Sequence, residues 1–314
     1  MVTVNGERFK VIVLNNQNSF ITLLKKHMIQ NTLNALRAIN LEDNKETELH
    51  FNINEIPLPH PYSGNIVKLR NEFVFAEYQM SLRELRLMYY IMSRFDVSEF
   101  FGKDGRPLND QALSDIYKHS SDESRSIIIP VSELSDFVCF GSKSKSYEPV
   151  TRAVNALIKN PVILNYQDQE PKIVTPIQSA YLFKCKSSKL KSMLITFNWD
   201  FMCFVFGTSG YCKLNLTDVL KFKSPLALRY YHWIIHSIRG GKFGTIRIKI
   251  ATLKDRLSII DTEYQKHFYK RCIEKPLQEV IDVTNINVEI EKIFDDKKRG
   301  KPLQRIEIKI NYRN

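Results

Sequence analysis

The sequence predicts an α+β fold of two tandem winged-helix domains preceded by an N-terminal extension, and three observations support this prediction. One order of elements (helix, strand, helix, helix, β-ribbon) occurs twice along the 314 residues. The segments SLRELRLMYYIM at Ser81 and SPLALRYYHWII at Ser224 align and share a Leu-Arg pair. The net charge is +12, and most of the excess lies in the last third. We therefore expect an extension over residues 1–64 and domains over residues 65–214 and 215–314.

The bulk composition limits the class of protein. Hydrophobic residues make up 43% of the chain and charged residues 25%, which is typical of soluble globular proteins. No apolar run approaches the length of a membrane span, and the first residues lack the cleavage pattern of a signal peptide. The five cysteines are scattered and form no CxxC pair, which argues against disulfides and structural zinc. We expect a cytoplasmic protein with reduced thiols and no membrane partner.

The extension carries weaker signals than the rest of the chain. Apolar residues after Ser19 recur at helical spacing and predict one helix. The proline-rich stretch PLPHPYSGN then breaks the pattern before the first domain begins. We expect the extension to be partly ordered.

The elements of the first predicted domain begin with a helix. Ser81 and Glu84 form a capping box, in which each side chain accepts a hydrogen bond from the backbone of the other residue. A polar loop over residues 102–124 follows this helix. Next come a strand in SIIIP, helices in VSELSDFVCF and YEPVTRAVNALIKN, and β segments in VILNY, KIVTPIQSAYLF and SMLITF.

The second predicted domain repeats this order. Ser224 is placed to cap a helix that begins at Pro225 and ends near Gly240–Gly241. A strand in TIRIKI and a short helix in ATLKDRLSI follow. Thr262 and Gln265 form a further possible capping box before the helix in YQKHFYKRCIEKPLQEV. Two strands, NINVEIEKIF and LQRIEIKI, close the chain around the turn DDKKRGKP.

Motifs for catalysis are missing from the sequence. His232 and His236 are one helical turn apart, but HWIIH lacks the glutamate of the HExxH zinc motif. Neither a GxxxxGK[ST] loop nor a GxGxxG loop occurs, so nothing indicates nucleotide hydrolysis. The His-hydrophobe-His cluster, with which rolling-circle initiators hold a metal beside a nucleophilic tyrosine, is also missing. The sequence predicts a protein that is not an enzyme and needs no cofactor or metal.

The helix in YQKHFYKRCIEKPLQEV is the main candidate for DNA binding. At helical spacing its apolar residues face a core: Phe268, Cys272, Ile273, Leu277, Val280 and Ile281. Lys266, Lys270, Arg271 and Lys275 fall elsewhere on its surface. As the second helix of a helix-turn-helix, it is expected to enter the major groove. Arginine can read guanine through its forked donors, whereas lysine mostly attracts phosphates.

Further basic residues surround this helix in the charge-rich part of the chain. Residues 215–314 hold 21 Lys and Arg against 12 Asp and Glu, whereas the first 214 residues hold 25 against 22. Wing tips commonly lie along the DNA backbone or in a minor groove, where cations neutralise phosphates. The additional candidates are Lys297, Lys298, Arg299 and Lys301 at the predicted wing tip, Lys254 in the preceding helix, and Lys143, Lys145 and Arg152 in the first domain.

Pro276 lies inside the candidate DNA-binding helix. A proline there removes one backbone hydrogen bond and bends the helix axis. We therefore expect a bend that tilts the basic first half into the groove, while the apolar second half stays on the core.

From about Ile66 to Ile310 the chain resembles the plasmid replication initiators of the two-winged-helix type, which bind iterons. The resemblance rests on NEFVFAEYQMSLRELRLMYYIMSRF, SPLALRYYHWI and KHFYKRCIEKPLQEVIDVTNINVEIE. One departure is Val280–Ile281–Asp282, which stands where the family has Glu-Ile-Asn, with Glu279 one place early.

The resemblance implies a bacterial, plasmid-encoded initiator that binds DNA without catalysis. Monomers would bind repeated origin sites in double-stranded DNA, help to melt adjacent DNA, and recruit the host initiator and the replicative helicase. Homodimers formed through the first domain would bind an operator and repress the protein's own gene. Two alternatives stay open: a transcriptional repressor with no origin function, and a nicking replication enzyme.

Overall fold

The structure is a computed structural model, and it describes the chain in twelve segments. The described residues are 2–4, 7–9, 48–49, 66–94, 125–140, 147–164, 171–185, 191–205, 211–238, 241–259, 267–295 and 302–312. Their strands are β1 (Val2–Val4), β2 (Glu7–Phe9), β3 (Glu48–Leu49), β4 (Ile66–Arg70), β5 (Ser126–Pro130), β6 (Val162–Leu164), β7 (Lys172–Val174), β8 (Ile177–Cys185), β9 (Lys191–Phe197), β10 (Tyr211–Asn215), β11 (Phe243–Lys249), β12 (Ile286–Phe294) and β13 (Leu303–Tyr312). Their α-helices are α1 (Asn71–Val74), α2 (Leu82–Met92), α3 (Val131–Val138), α4 (Glu148–Lys159), α5 (Trp199–Val205), α6 (Leu216–Lys221), α7 (Pro225–Ile238), α8 (Ile250–Arg256) and α9 (Lys275–Val283).

Two winged helices with the same topology follow one another along the chain. The first contains α2, β5, α3 and α4 and the ribbon β8–β9; the second contains α7, β11, α8 and α9 and the ribbon β12–β13. In both sheets the early strand pairs with the last strand, which then pairs with the penultimate one. The two short strands β6 and β7 pair with each other in a separate two-stranded sheet. These features confirm the predicted α+β fold with two tandem winged helices.

The predicted helix starts are present in both halves. At α2, the Ser81 hydroxyl oxygen accepts a hydrogen bond from the Glu84 backbone N–H over 3.3 Å, and the Ser81 N–H donates to the Glu84 carboxylate over 3.2 Å. At α7, the Ser224 hydroxyl accepts from the Ala227 N–H over 3.4 Å. Three sequence-based predictions lie outside the described residues: the helix after Ser19, the loop over residues 102–124, and the capping box at residues 262–265.

Replacing Ser81 with alanine is expected to lower the free energy of unfolding by about 1 kcal/mol. The variant leaves the Glu84 N–H without its acceptor, and it removes the hydroxyl that also donates to the Glu84 carboxylate over 2.7 Å. Chemical denaturation of the full chain measures the change. Glu84→Gln is the matched control, because glutamine can still accept from the Ser81 N–H, and it should lose less. A Ser81→Ala variant as stable as the parent would contradict this account of the helix start.

A pair of strand–short helix units, which the sequence patterns did not predict, joins the two winged helices. Strands β4 and β10 run antiparallel, with Lys68 opposite Lys213 at their centre, and the predicted domain boundary after residue 214 lies inside β10. Helices α1 and α6 follow these strands. The Tyr89 hydroxyl lies 3.3 Å from Nδ1 of His232, 143 residues further on, and this offset also separates Ser81 from Ser224. Two residues at equivalent repeat positions therefore meet where the two halves pack together.

The Leu-Arg pairs that mark the repeat place two buried arginines across this interface. Arg86 on α2 donates to the carbonyls of Leu220 and Phe222, both over 2.9 Å. Arg229 on α7 donates to two carbonyls of segment 76–78, over 2.5 and 2.9 Å. Each arginine therefore holds the segment that leads into the other winged helix.

The apolar side chains of both halves form one continuous core. Its largest fully buried side chains include Trp233, Tyr89, Tyr230, Phe73, Phe197 and Phe201. Among the described residues, Cys139, Cys212 and Cys272 are buried and have no disulfide partner. Within the part of the chain that the structure describes, no helix combines the length and apolar character needed to cross a membrane.

Candidate nucleic-acid interface

The second helix of the helix-turn-helix in the second winged helix has one buried and one charged side. We call residues 267–283 the recognition helix. Its buried side chains, at most 1% exposed, are Cys272, Ile273, Leu277 and Val280. Lys270, Arg271 and Lys275 are exposed to solvent. The helical spacing in the sequence predicted this division correctly for these residues.

The recognition helix changes its hydrogen-bond pattern just before Pro276. Tyr269–Glu274 is π-helical, and the Lys275 N–H accordingly donates to the carbonyl of Lys270, five residues back. From Lys275 onward the helix is α-helical, and Pro276 is buried at the start of this part. Sequence reasoning expected a bend at Pro276. The structure shows there a change from i→i−5 to i→i−4 bonding, which local propensities do not reveal.

A carboxylate from the recognition helix fixes it against the first helix of its domain. Glu279 Oε1 accepts from the backbone N–H groups of Lys223 and Ser224 over 2.5 and 3.2 Å. These N–H groups lie at the N-terminus of α7, where the helix dipole favours a negative charge. Glu279 thus anchors the recognition helix to α7 and leaves the basic side accessible.

Two lysines from other elements border the first turn of the recognition helix. Lys254 Nζ of α8 lies 5.3 Å from the ring centroid of Phe268. Lys292 Nζ of β12 lies 3.7 Å from the ring centroid of Tyr269. Cation–π contacts of this kind hold a flexible lysine in place while its charge stays near the surface. The sequence predicted Lys254 but not Lys292, because its position beside the helix depends on how the wing strand packs.

The outward face of the wing sheet has a mixed charge pattern. Arg247 of β11 forms an ion pair with Glu307 of β13 over 2.7 Å, and this hydrogen bond holds the pKa of the Glu307 carboxyl below its usual value. Further along, Lys249 lies directly opposite Arg305, and both are exposed. Like charges in this arrangement repel each other, so a nearby phosphate would stabilise the pair. Sequence reasoning missed both residues, since only the strand register brings them together.

Of the remaining predicted DNA contacts, only Arg152 lies among the described residues. Lys266, Lys143, Lys145, Lys297, Lys298, Arg299 and Lys301 lie outside the described residues. Arg152 is exposed on α4 and forms an ion pair with Glu148 one turn earlier, over 2.8 Å. An exposed pair of this kind contributes little to stability. Exchanging Glu148 for a phosphate would therefore cost Arg152 little.

The two histidines of α7 are packed against other side chains of the fold. His232 is fully buried, and burial, followed by the charge of Arg229, lowers the pKa of His232 to about 3. Its imidazole is therefore neutral at pH 7. The His236 ring contacts the ring of Phe75 edge-on, with centroids 4.7 Å apart. Among the described residues, no group of three or more His, Cys, Asp or Glu side chains is placed to hold a metal ion.

Comparisons with known proteins place both winged helices in one family. The family model described as "Initiator Replication protein, WH1" matches residues 66–235, and that described as "Initiator Rep protein, WH2" matches residues 249–310. No curated protein sequence matches the chain.

A solved structure has a similar fold at low sequence identity. The Pi initiator protein in complex with iteron DNA is 15% identical, with a TM-score of 0.54; the match covers 79% of this chain and 97% of that protein. Domains 2 and 3 of RctB are 5% identical over 65% of this chain and 81% of that one, with a TM-score of 0.36.

Proposed function

Because this chain belongs to the family of initiator replication proteins, we propose that it is a sequence-specific initiator of plasmid replication that binds iterons in double-stranded DNA. The observation that supports this most directly is the recognition helix, which exposes Lys270, Arg271 and Lys275 while its opposite side is buried. The Pi initiator protein, which has a similar fold, was solved in complex with iteron DNA.

The proposed binding mode assigns different tasks to the exposed cations. Arg271 would pair with a guanine edge in the major groove, because its planar fork matches the O6 and N7 acceptors. Lys270 and Lys275 would neutralise phosphates on either side of the groove. Lys292, held beside Tyr269, would add a phosphate contact from the wing. The first winged helix would supply a second DNA contact, with fewer cations, through Arg152.

The proposal extends to the steps that follow DNA binding. Binding energy would be used to deform and open the adjacent duplex, with no catalytic step. The host initiator and the replicative helicase would then be recruited. Homodimers formed through residues 65–214 would bind an operator and repress the gene that encodes the chain.

Titration against two duplexes tests the proposed DNA recognition. The repeat duplex carries the direct repeats that the proposal expects in the DNA flanking the gene, and the scrambled duplex has the same composition in random order. We expect at least roughly thousandfold tighter binding to the repeat duplex at physiological salt. Affinity for both should fall as salt rises, because phosphate contacts release counterions. Equal affinities for the two duplexes would overturn the proposal.

Two further assays separate initiation from the alternatives. A plasmid carrying the repeats should replicate only when the chain is supplied in trans. Tight binding to an inverted repeat with no such replication would instead identify a repressor. Incubating supercoiled origin plasmid with Mg²⁺ or Mn²⁺ should leave it unbroken, and a covalent tyrosine–DNA adduct would identify a nicking enzyme.

A further inference from the structure

The backbone carbonyl of Cys272 has an unusual hydrogen-bond donor. In an α-helix it would accept from the N–H of residue 276, but Pro276 has no N–H. Cys272 and Pro276 are both buried, so water does not readily replace the α-helical donor that Pro276 lacks. Instead, the hydroxyl of Tyr230 on α7 donates to this carbonyl over 2.9 Å.

The Tyr230 hydroxyl is held in place for this bond. Tyr230 is fully buried, and its ring packs edge-on against Trp233 with centroids 5.2 Å apart. The Trp233 indole N–H in turn donates to the carbonyl of Val74 over 2.8 Å. Burial raises the pKa of Tyr230 well above its usual value, so the hydroxyl keeps its proton and can donate. The donor is therefore preorganised before any DNA binds.

We infer that Tyr230 is a positioning residue for DNA recognition: its hydroxyl replaces the hydrogen bond that Pro276 cannot make and holds the π-helical turn between Arg271 and Lys275. This inference rests on the proposed function. It identifies a buried residue that sets the geometry of the surface proposed to read the DNA bases. The wide turn Tyr269–Glu274 determines how the two cations are placed relative to each other. Bidentate base recognition tolerates little displacement, whereas phosphate attraction tolerates more.

Tyr230→Phe, which removes only the hydroxyl, tests this role. We expect roughly tenfold weaker binding to the repeat duplex and nearly unchanged binding to the scrambled duplex. In the free protein, amide hydrogen exchange over residues 269–275 should accelerate. Tyr231→Phe is the matched control, because the neighbouring Tyr231 hydroxyl donates to Asp218 over 3.1 Å, away from the recognition helix. It should leave both the exchange and the preference for the repeat duplex unchanged.

A double-mutant cycle with Pro276→Ala tests the link to the proline. The new N–H can donate to the Cys272 carbonyl, so Tyr230→Phe should cost much less binding and exchange protection in the Pro276→Ala background. Equal costs in both backgrounds, unchanged exchange in Tyr230→Phe, or the same loss in Tyr231→Phe would each overturn the inference. If the wild-type chain bound both duplexes equally, the proposed function would fail, while exchange in the free protein would still decide whether Tyr230 holds the turn.

Discussion

Arg229→Met is expected to lower the free energy of unfolding by about 3 kcal/mol, since each buried hydrogen bond from a charged donor contributes about 1.5–3 kcal/mol. The guanidinium donates to Ala76 over 2.5 Å and to Tyr78 over 2.9 Å, and lies 3.8 Å from the centroid of the Tyr78 ring. Methionine keeps much of the apolar packing but leaves both carbonyls without this donor. Chemical denaturation of the full chain measures the loss.

Two variants separate the role of the forked guanidinium donors of Arg229 from the role of its charge or its volume. Arg152→Met removes an exposed arginine whose ion pair with Glu148 is solvated, and it should change stability by less than about 0.5 kcal/mol. Arg229→Lys keeps the charge but cannot direct two planar donors at two carbonyls, so it should fall between the parent and Arg229→Met. If Arg229→Met lost no more stability than Arg152→Met, the contact of Arg229 between the two halves would contribute little to the free energy of unfolding.

Local signals made most of the fold predictable. Capping depends on residues within one turn, so Ser81 with Glu84 and Ser224 with Pro225 mark helix starts that the structure confirms. Periodicity likewise separated the buried side chains of the recognition helix from Lys270 and Arg271, because a helix face is set by spacing alone. The repeated order of elements then predicted two winged helices.

Contacts between distant residues were not predictable. The Leu-Arg repeat was visible, but Arg86 bonds a carbonyl 136 residues away and Arg229 one 153 residues away, so neither partner follows from spacing. The pairing of β4 with β10 is non-local for the same reason. At the candidate site, the donor to Cys272 comes from another helix, and Lys292 reaches Tyr269 only through the packing of the wing strand.

Arg271→Ala is expected to weaken binding to the repeat duplex by about 1–3 kcal/mol and binding to the scrambled duplex far less. Arg271 is exposed on the recognition helix, so truncation removes the proposed base contact without opening the core. Stability should therefore stay within about 0.5 kcal/mol of the parent. Parallel titrations of both duplexes at several salt concentrations, with denaturation of the free protein, measure both quantities.

Lysine variants of the same surface serve as controls for Arg271. Lys275→Ala, and Lys298→Ala at the predicted wing tip, should weaken binding to both duplexes alike and reduce the salt dependence by about one phosphate contact each. Arg271→Lys keeps the charge but loses the fork, so it should keep most of the affinity for the scrambled duplex and lose much of the preference for the repeat duplex. If Arg271→Ala weakened both duplexes equally, Arg271 would contact phosphate, and the base-reading residue would have to lie elsewhere on the interface.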